Sequence, residues 1–177
     1  MLMGRRTAIA LGAATAACLA APGVQARSRA VPAPADLLEI RALLMRFVWA
    51  IDTANAADAA TAFSRDAVIY DLNGKVWRRA SGGAIAFVQD RIATKERGVQ
   101  HQVQINRLER VGNRWLAESY WSQVGWRTGS QRPELLAQGA FVDRLAQRDG
   151  KWLITDKRIS LWNSETVHVA PVKEPAQ

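Results

Sequence analysis

Gly139-Ala-Phe-Val-Asp-Arg-Leu-Ala-Gln-Arg-Asp-Gly-Lys-Trp-Leu-Ile-Thr-Asp-Lys-Arg-Ile-Ser-Leu-Trp162 decides the fold of this chain. It reads as two strands joined at Asp149-Gly150, because an Asp-Gly pair supplies the positive φ angles of a tight hairpin turn. Residues two apart on a strand point the same way, so Asp143 shares a face with Phe141 and Leu145. An unpaired carboxylate on an apolar face is expensive to bury, so Asp143 is expected to be either paired or functional.

Working backward from this hairpin, the chain stays β. Thr128 to Pro133 is a polar loop, and Arg114 to Arg127 is a long strand rich in Trp and Tyr. Gly112-Asn113 is a turn, and Gln100 to Glu109 alternates as a strand. The first half of the domain is mostly helical. Asp36 is expected to cap a helix in which Leu37, Ile40, Leu44, Phe47, Val48 and Ile51 form one apolar stripe to about Ala54. Ala56 to Phe63 reads as a short second helix capped by Asn55. Ala67 to Leu72 and Lys75 to Arg78 read as a small hairpin about Asn73-Gly74. Ser81 is expected to cap a third helix to about Thr94, with Ile85, Val88 and Ile92 facing inward. Three helices followed by a meander predict an α+β fold, a curved antiparallel sheet wrapped around the helices.

The ends are of a different character. Arg5-Arg6, the Ala-rich run from Thr7 to Ala21 and the small-x-small Val24-Gln25-Ala26 together read as an export signal over 1–26, cut after Ala26. The paired arginines suit twin-arginine export, and the Sec route remains open. Thr15-Ala16-Ala17 lacks the Leu usual before a lipidated cysteine, which argues against attachment at Cys18. The apolar run is too short to span a bilayer comfortably, so stable membrane insertion is not expected. Residues 27–35 read as a flexible leader, 36–163 as the domain, and 164–177 as a loose tail.

Removal of 1–26 lowers the formal net charge from +8 to +6 and takes away Cys18, the only cysteine. The remaining domain has no thiol chemistry and no disulfide, although an exported protein meets oxidising conditions. Its length suffices for one self-supporting core. Arginines are scattered rather than massed, so the positive balance reads as a solvated surface with a mild preference for anionic ligands, not as a nucleic-acid footprint.

The order helix–helix–hairpin–helix–long sheet resembles the SnoaL-like branch of the nuclear-transport-factor-like superfamily over Asp36 to Trp162. The resemblance is carried by Phe47-Val48-Trp49-Ala50-Ile51-Asp52, Phe63-Ser64-Arg65-Asp66-Ala67-Val68, Val99-Gln100-His101, Ala117-Glu118-Ser119-Tyr120 and the closing hairpin. It implies a cone with a deep apolar pocket, and often a homodimer formed through the open sheet face. It does not fix an activity, because this fold hosts dehydratases, isomerases, cyclases and members without known chemistry.

Two acid pairs stand out. Asp52, late in the first helix, and His101, on the strand face of Val103 and Ile105, resemble the aspartate–histidine pair of the scytalone and bile-acid dehydratases. That resemblance implies an imidazole that removes a proton next to a carbonyl and returns one to a departing hydroxyl, with the carboxylate fixing its tautomer. The bland alternative is a satisfied rim histidine and a helix-end acid. His168, in the tail, is expected to be inert.

Asp71 and Asp143 resemble the base and the protonated acid of ketosteroid isomerase. Phe47, however, stands where that resemblance calls for a tyrosine hydroxyl, and phenylalanine has none to donate. The bland readings are a turn residue for Asp71 and a cross-hairpin ion pair with Arg158 for Asp143. Tyr120 is a candidate substitute donor.

Phe47, Val103, Phe141 and Trp162 are the candidate pocket-lining residues. The seven tryptophans read as core or interface, with a flat ligand's pocket as the alternative. No phosphate loop, nucleophile elbow or zinc motif is present, and no cofactor or metal is expected. The expected function is an exported, cofactor-independent lyase or isomerase acting on a small hydrophobic carbonyl compound. The alternative is a non-catalytic ligand-binding or dimeric module.

Overall fold

The computed structural model describes residues 32–94 and 98–162. The export signal and the C-terminal tail read from the sequence lie outside them. Helix α1 spans Pro34–Asp52. It starts inside the stretch expected to be a flexible leader, and Asp36 is a first-turn residue rather than the cap. Proline suits the first helical turn, where its missing N–H leaves no intrahelical bond unmade. Asp36 still holds this end in place, accepting a hydrogen bond from Trp152 Nε1 at 3.1 Å. At the other end Ala54 takes φ +57°, a left-handed conformation that stops the helix just after Asp52.

Helix α2, Ala56–Ala60, is capped by Asn55, whose side chain accepts from the Asp58 N–H. It ends before Phe63, which opens strand β1, Phe63–Tyr70, earlier than the alternation suggested. Strand β2 is Val76–Trp77. A turn of 3-10 helix at Arg79–Ser81 leads into α3, Gly83–Thr94. Phe87 and Val88 are the inward residues of α3, whereas Ile85 is exposed, against expectation. Four long strands follow: β3 Gln100–Val111, β4 Arg114–Gly125, β5 Glu134–Arg148 and β6 Lys151–Leu161. Asp149 and Gly150 take φ +50° and +75°, the paired positive angles of a tight hairpin turn.

The strand order is β2-β1-β6-β5-β4-β3. The meander is antiparallel as expected, but β1 runs parallel to β6, so the sheet is mixed. This parallel pairing places β1, which follows α1 and α2, beside the last strand and draws the helical layer over one face of the sheet. Two irregularities interrupt the ladders. Between β3 and β4 the register shifts at Asn106, and between β5 and β6 it shifts at Thr155. Each inserts an unmatched residue and reverses the in–out alternation beyond it.

The core joins the α1 stripe (Ile40, Leu44, Phe47, Ile51) to Phe63, Ile69, Phe87, Leu145 and Ile154. Phe47 and Phe63 meet edge to face at 5.3 Å, and Phe63 and Phe87 at 6.2 Å. Full burial of each such side chain contributes about 1.5–3 kcal/mol. Among the described residues, no helix is long and apolar enough to cross a membrane.

Candidate active site

Between the helices and the inner face of the sheet lies an open cavity of about 480 Å³. Its walls are mostly apolar, with Phe47, Val48 and Ile51 from α1, Phe87 from α3, and Trp121 and Phe141 from the sheet. Trp121 and Phe141 stack at 5.5 Å. Gly139 makes room for this stack, because a Cβ there would collide with the Trp121 ring and the Ser160 carbonyl. Into the apolar lining project His101, Gln123, Arg91, Thr94, Arg127 and Lys157.

His101 is held by Asp52 at two points. Its backbone N–H donates to Asp52 Oδ2 at 2.7 Å, and its ring Nδ1 lies 2.6 Å from Asp52 Oδ1. The termination of α1 just beyond Asp52 aims the carboxylate at the first residues of β3. Both side chains are 13% exposed. A carboxylate only accepts, so Nδ1 carries the proton and the Nε2 lone pair is left for other partners. That partner is Gln123, whose Nε2 lies 2.8 Å from His101 Nε2. Gln123 is directly opposite His101 across the β3–β4 ladder. The two groups read from the sequence therefore do converge at an open, apolar cup.

The second acid behaves differently. Asp143 is 1% exposed and does not line the cavity. Both its oxygens accept from Lys157 Nζ, at 3.0 and 3.1 Å. Its partner is thus Lys157 and not Arg158, which faces Val142 in the ladder and lies over the Tyr70 ring at 4.4 Å. The Thr155 bulge makes the difference, since an unbroken ladder from the hairpin turn would set Asp143 against Asp156. Lys157 itself lines the cavity, with Nζ 3.9 Å from the Phe141 ring centre and 4.9 Å from that of Phe47. Burial pushes the Asp143 carboxyl above its ordinary range and the Lys157 ammonium below its own, while each partner's charge opposes the shift.

The other candidates do not join this site. Asp71 braces the β1–β2 turn: Oδ1 accepts from the Asn73 and Lys75 N–H groups and Oδ2 from Trp77 Nε1 at 3.0 Å. With three donors spent on it and no place in the cavity lining, it is a structural residue. Tyr120 lies on the far face of the sheet, half exposed and edge-on to Trp162 at 5.0 Å. Tyr120, Trp162 and Val103 border a separate groove there instead of the cup. Of the expected lining residues, Phe47 and Phe141 are in place.

The sequence reading missed Lys157, Gln123, Arg91 and Arg127. Arg91 is anchored by Asp90 at 2.7 Å, and Arg127 by Glu134 at 3.2 Å. Among the described residues, the cavity lining contains cations but no Asp or Glu. Trp121 contributes an Nε1–H that is buried without a partner among the described residues. No cluster of three or more His, Cys, Asp or Glu occurs among the described residues.

Fold and site define a protein of the cystatin-like, nuclear-transport-factor-like class with an acid-held imidazole in its cup. Residues 33–158 match the SnoaL-like domain family, and the chain belongs to that family. Solved structures share the fold. A single-substitution variant of Rv3472, a Mycobacterium tuberculosis protein of unknown function, is 25% identical with a TM-score of 0.61, over 73% of this chain and 76% of that one. A scytalone dehydratase-like protein of Novosphingobium aromaticivorans is 16% identical with a TM-score of 0.61, over 80% and 96%. LinA is 18% identical with a TM-score of 0.62, over 77% and 95%. No curated protein sequence matches.

Proposed function

We propose that this protein is a cofactor-independent lyase or isomerase that moves protons on a small hydrophobic carbonyl compound held in the cup. One observation carries the reading: His101, fixed by Asp52 through both backbone and ring, borders an open apolar cavity. His101 Nε2 takes a proton from the carbon beside the carbonyl, and the electron pair moves onto the carbonyl oxygen. Lys157 spends two donors on Asp143 and has a third N–H for that oxygen, which replaces the Asp143 or Tyr120 donor expected from the sequence. The imidazolium, stabilised by Asp52, then returns its proton to a departing hydroxyl or to another carbon. The scytalone dehydratase-like neighbour and LinA are consistent with dehydratase- or isomerase-type chemistry.

The test is a screen of the purified protein against hydroxylated cyclic ketones, with His101→Ala beside the wild type. Turnover by the wild type alone is the expected outcome, and full activity of His101→Ala on a substrate so found refutes the assignment.

One observation favours a second reading, a binding module without chemistry. The Gln123 amide already sits on the Nε2 lone pair that a base must use. Catalysis requires this amide to swing aside, whereas a binder keeps it. Ligand binding with His101 Nε2 still bonded to Gln123 in the complex supports the binder.

Two further expectations belong to this proposal. The N-terminal segment supports export to the periplasm, checked by fractionating cells that express the full chain. The exposed Tyr120, Trp126, Leu135 and Trp162 support a homodimer, checked by solution mass.

A further inference from the structure

We propose that Lys157 forms a covalent imine with the carbonyl carbon of a ligand in the cup, because it lines the cavity with its Nζ against the Phe141 and Phe47 rings and bonded to the Asp143 carboxylate. The proposal deepens the function above. It rests on the cup's taking a carbonyl compound and not on proton transfer by His101, and it replaces the Lys157 N–H donation to oxygen, because the imine expels that oxygen.

The placement suits the chemistry. A lysine amine becomes a nucleophile when an apolar setting disfavours its charge, and the ammonium here is desolvated almost completely. Burial favours the neutral form of both partners, so the proton they share can pass to Asp143 and free the Nζ lone pair. A purely structural ion pair has no need to place its lysine in a cavity wall, and this one does. Lys75 also has a ring and a carboxylate beside it, those of Trp77 and Asp90, but it and Lys151 are exposed to solvent.

The step balances. The Nζ lone pair attacks the carbonyl carbon, the carbon–nitrogen bond forms, and the π pair moves onto oxygen. Two protons of the ammonium reach that oxygen, Asp143 holding the first while the carbon–nitrogen bond forms and returning it through Nζ, and the oxygen leaves as water when the carbon–oxygen bond breaks. An ammonium and a ketone or aldehyde become an iminium and water, so the cation opposite Asp143 is preserved and no net charge is created in the buried site. No oxidant or reductant takes part.

The experiment incubates the full chain with 2-naphthaldehyde and cyanoborohydride, which reduces an imine to a stable amine, and maps the naphthylmethyl group by peptide mass spectrometry. Lys157 should be labelled about ten-fold more than Lys75 or Lys151. Lys157→Arg keeps a cation beside Asp143 but cannot form the imine, so it should lose this label alone. Should that variant not fold, the paired Asp143→Leu/Lys157→Met variant replaces both charges with apolar groups and should likewise lose it. Label confined to Lys75 and Lys151, or spread evenly over the lysines, overturns the proposal. The probe has no hydrogen beside its carbonyl, so His101 has nothing to abstract and His101→Ala should label like the wild type. Failure of the imine thus leaves proton transfer standing, and the reverse also holds.

Discussion

Two acid–base pairs each send one member, His101 and Lys157, to the same cup, yet they sit in opposite environments. Asp52 and His101 bridge a helix end and a strand, each 13% exposed. Asp143 and Lys157 bridge neighbouring strands, each 1% exposed. Both are doubly bonded. The difference is solvent. At the 13% exposed pair, solvent can reach a group left over when a bond is exchanged. At the buried end, losing either partner strands a charge. The first pair is therefore suited to turnover, and the second to holding a cation in place beneath a ligand.

Separate perturbation of the two pairs tests this contrast. The largest effect is expected from His101→Ala, which should lower turnover by about 10²–10⁴-fold. Its urea midpoint should fall modestly, because the ring's two hydrogen bonds, to Asp52 and Gln123, are lost at about 0.5–1.5 kcal/mol each. Next comes the buried pair. Asp143→Ala or Lys157→Met alone should cost about 3–5 kcal/mol of stability in urea unfolding, because each leaves one charge uncompensated. The joint Asp143→Leu/Lys157→Met change should recover most of that loss. If the singles are mild, the pair is not a buried ion pair in solution and the contrast breaks.

Asp52→Asn should follow, with turnover falling toward the lower end of the range given for His101. The amide keeps the shape but can present an N–H to the ring and lose control of its tautomer. A pH–rate profile that moves with this substitution, at unchanged stability, separates positioning from scaffolding. The smallest effect belongs to Gln123→Leu. It removes one hydrogen bond of about 0.5–1.5 kcal/mol, so turnover should change by no more than about ten-fold in either direction. A rise would show that the amide obstructs the base, and a fall that it aims it.

The same contrast explains what could be read from the sequence. The helices, the Asp149-Gly150 hairpin and the convergence of Asp52 with His101 follow from periodicity, turn chemistry and family resemblance. The parallel β1–β6 pairing does not, because strand partners far apart in sequence leave no local mark. The two cross-strand partners that complete the site were hidden by bulges. Without the shift at Asn106, His101 would face Val124 and not Gln123; without the shift at Thr155, Asp143 would face Asp156 and not Lys157. A single inserted residue thus exchanges an apolar neighbour for an amide, and a like-charge clash for an ion pair. Tyr120 illustrates the converse. It shares strand parity with Glu118 and not with Trp121, so simple alternation already sends it outward.

The central claim is that His101 removes a proton from carbon. It is tested most directly by incubating the protein in deuterated water with a cyclic ketone that binds the cup, and following deuterium entry beside the carbonyl by NMR. Exchange of this kind reports proton abstraction even when no net reaction follows. Exchange faster than buffer is expected with the wild type, and its loss in His101→Ala. Equal exchange by the two proteins, or none with a ketone shown to occupy the cavity, would contradict it.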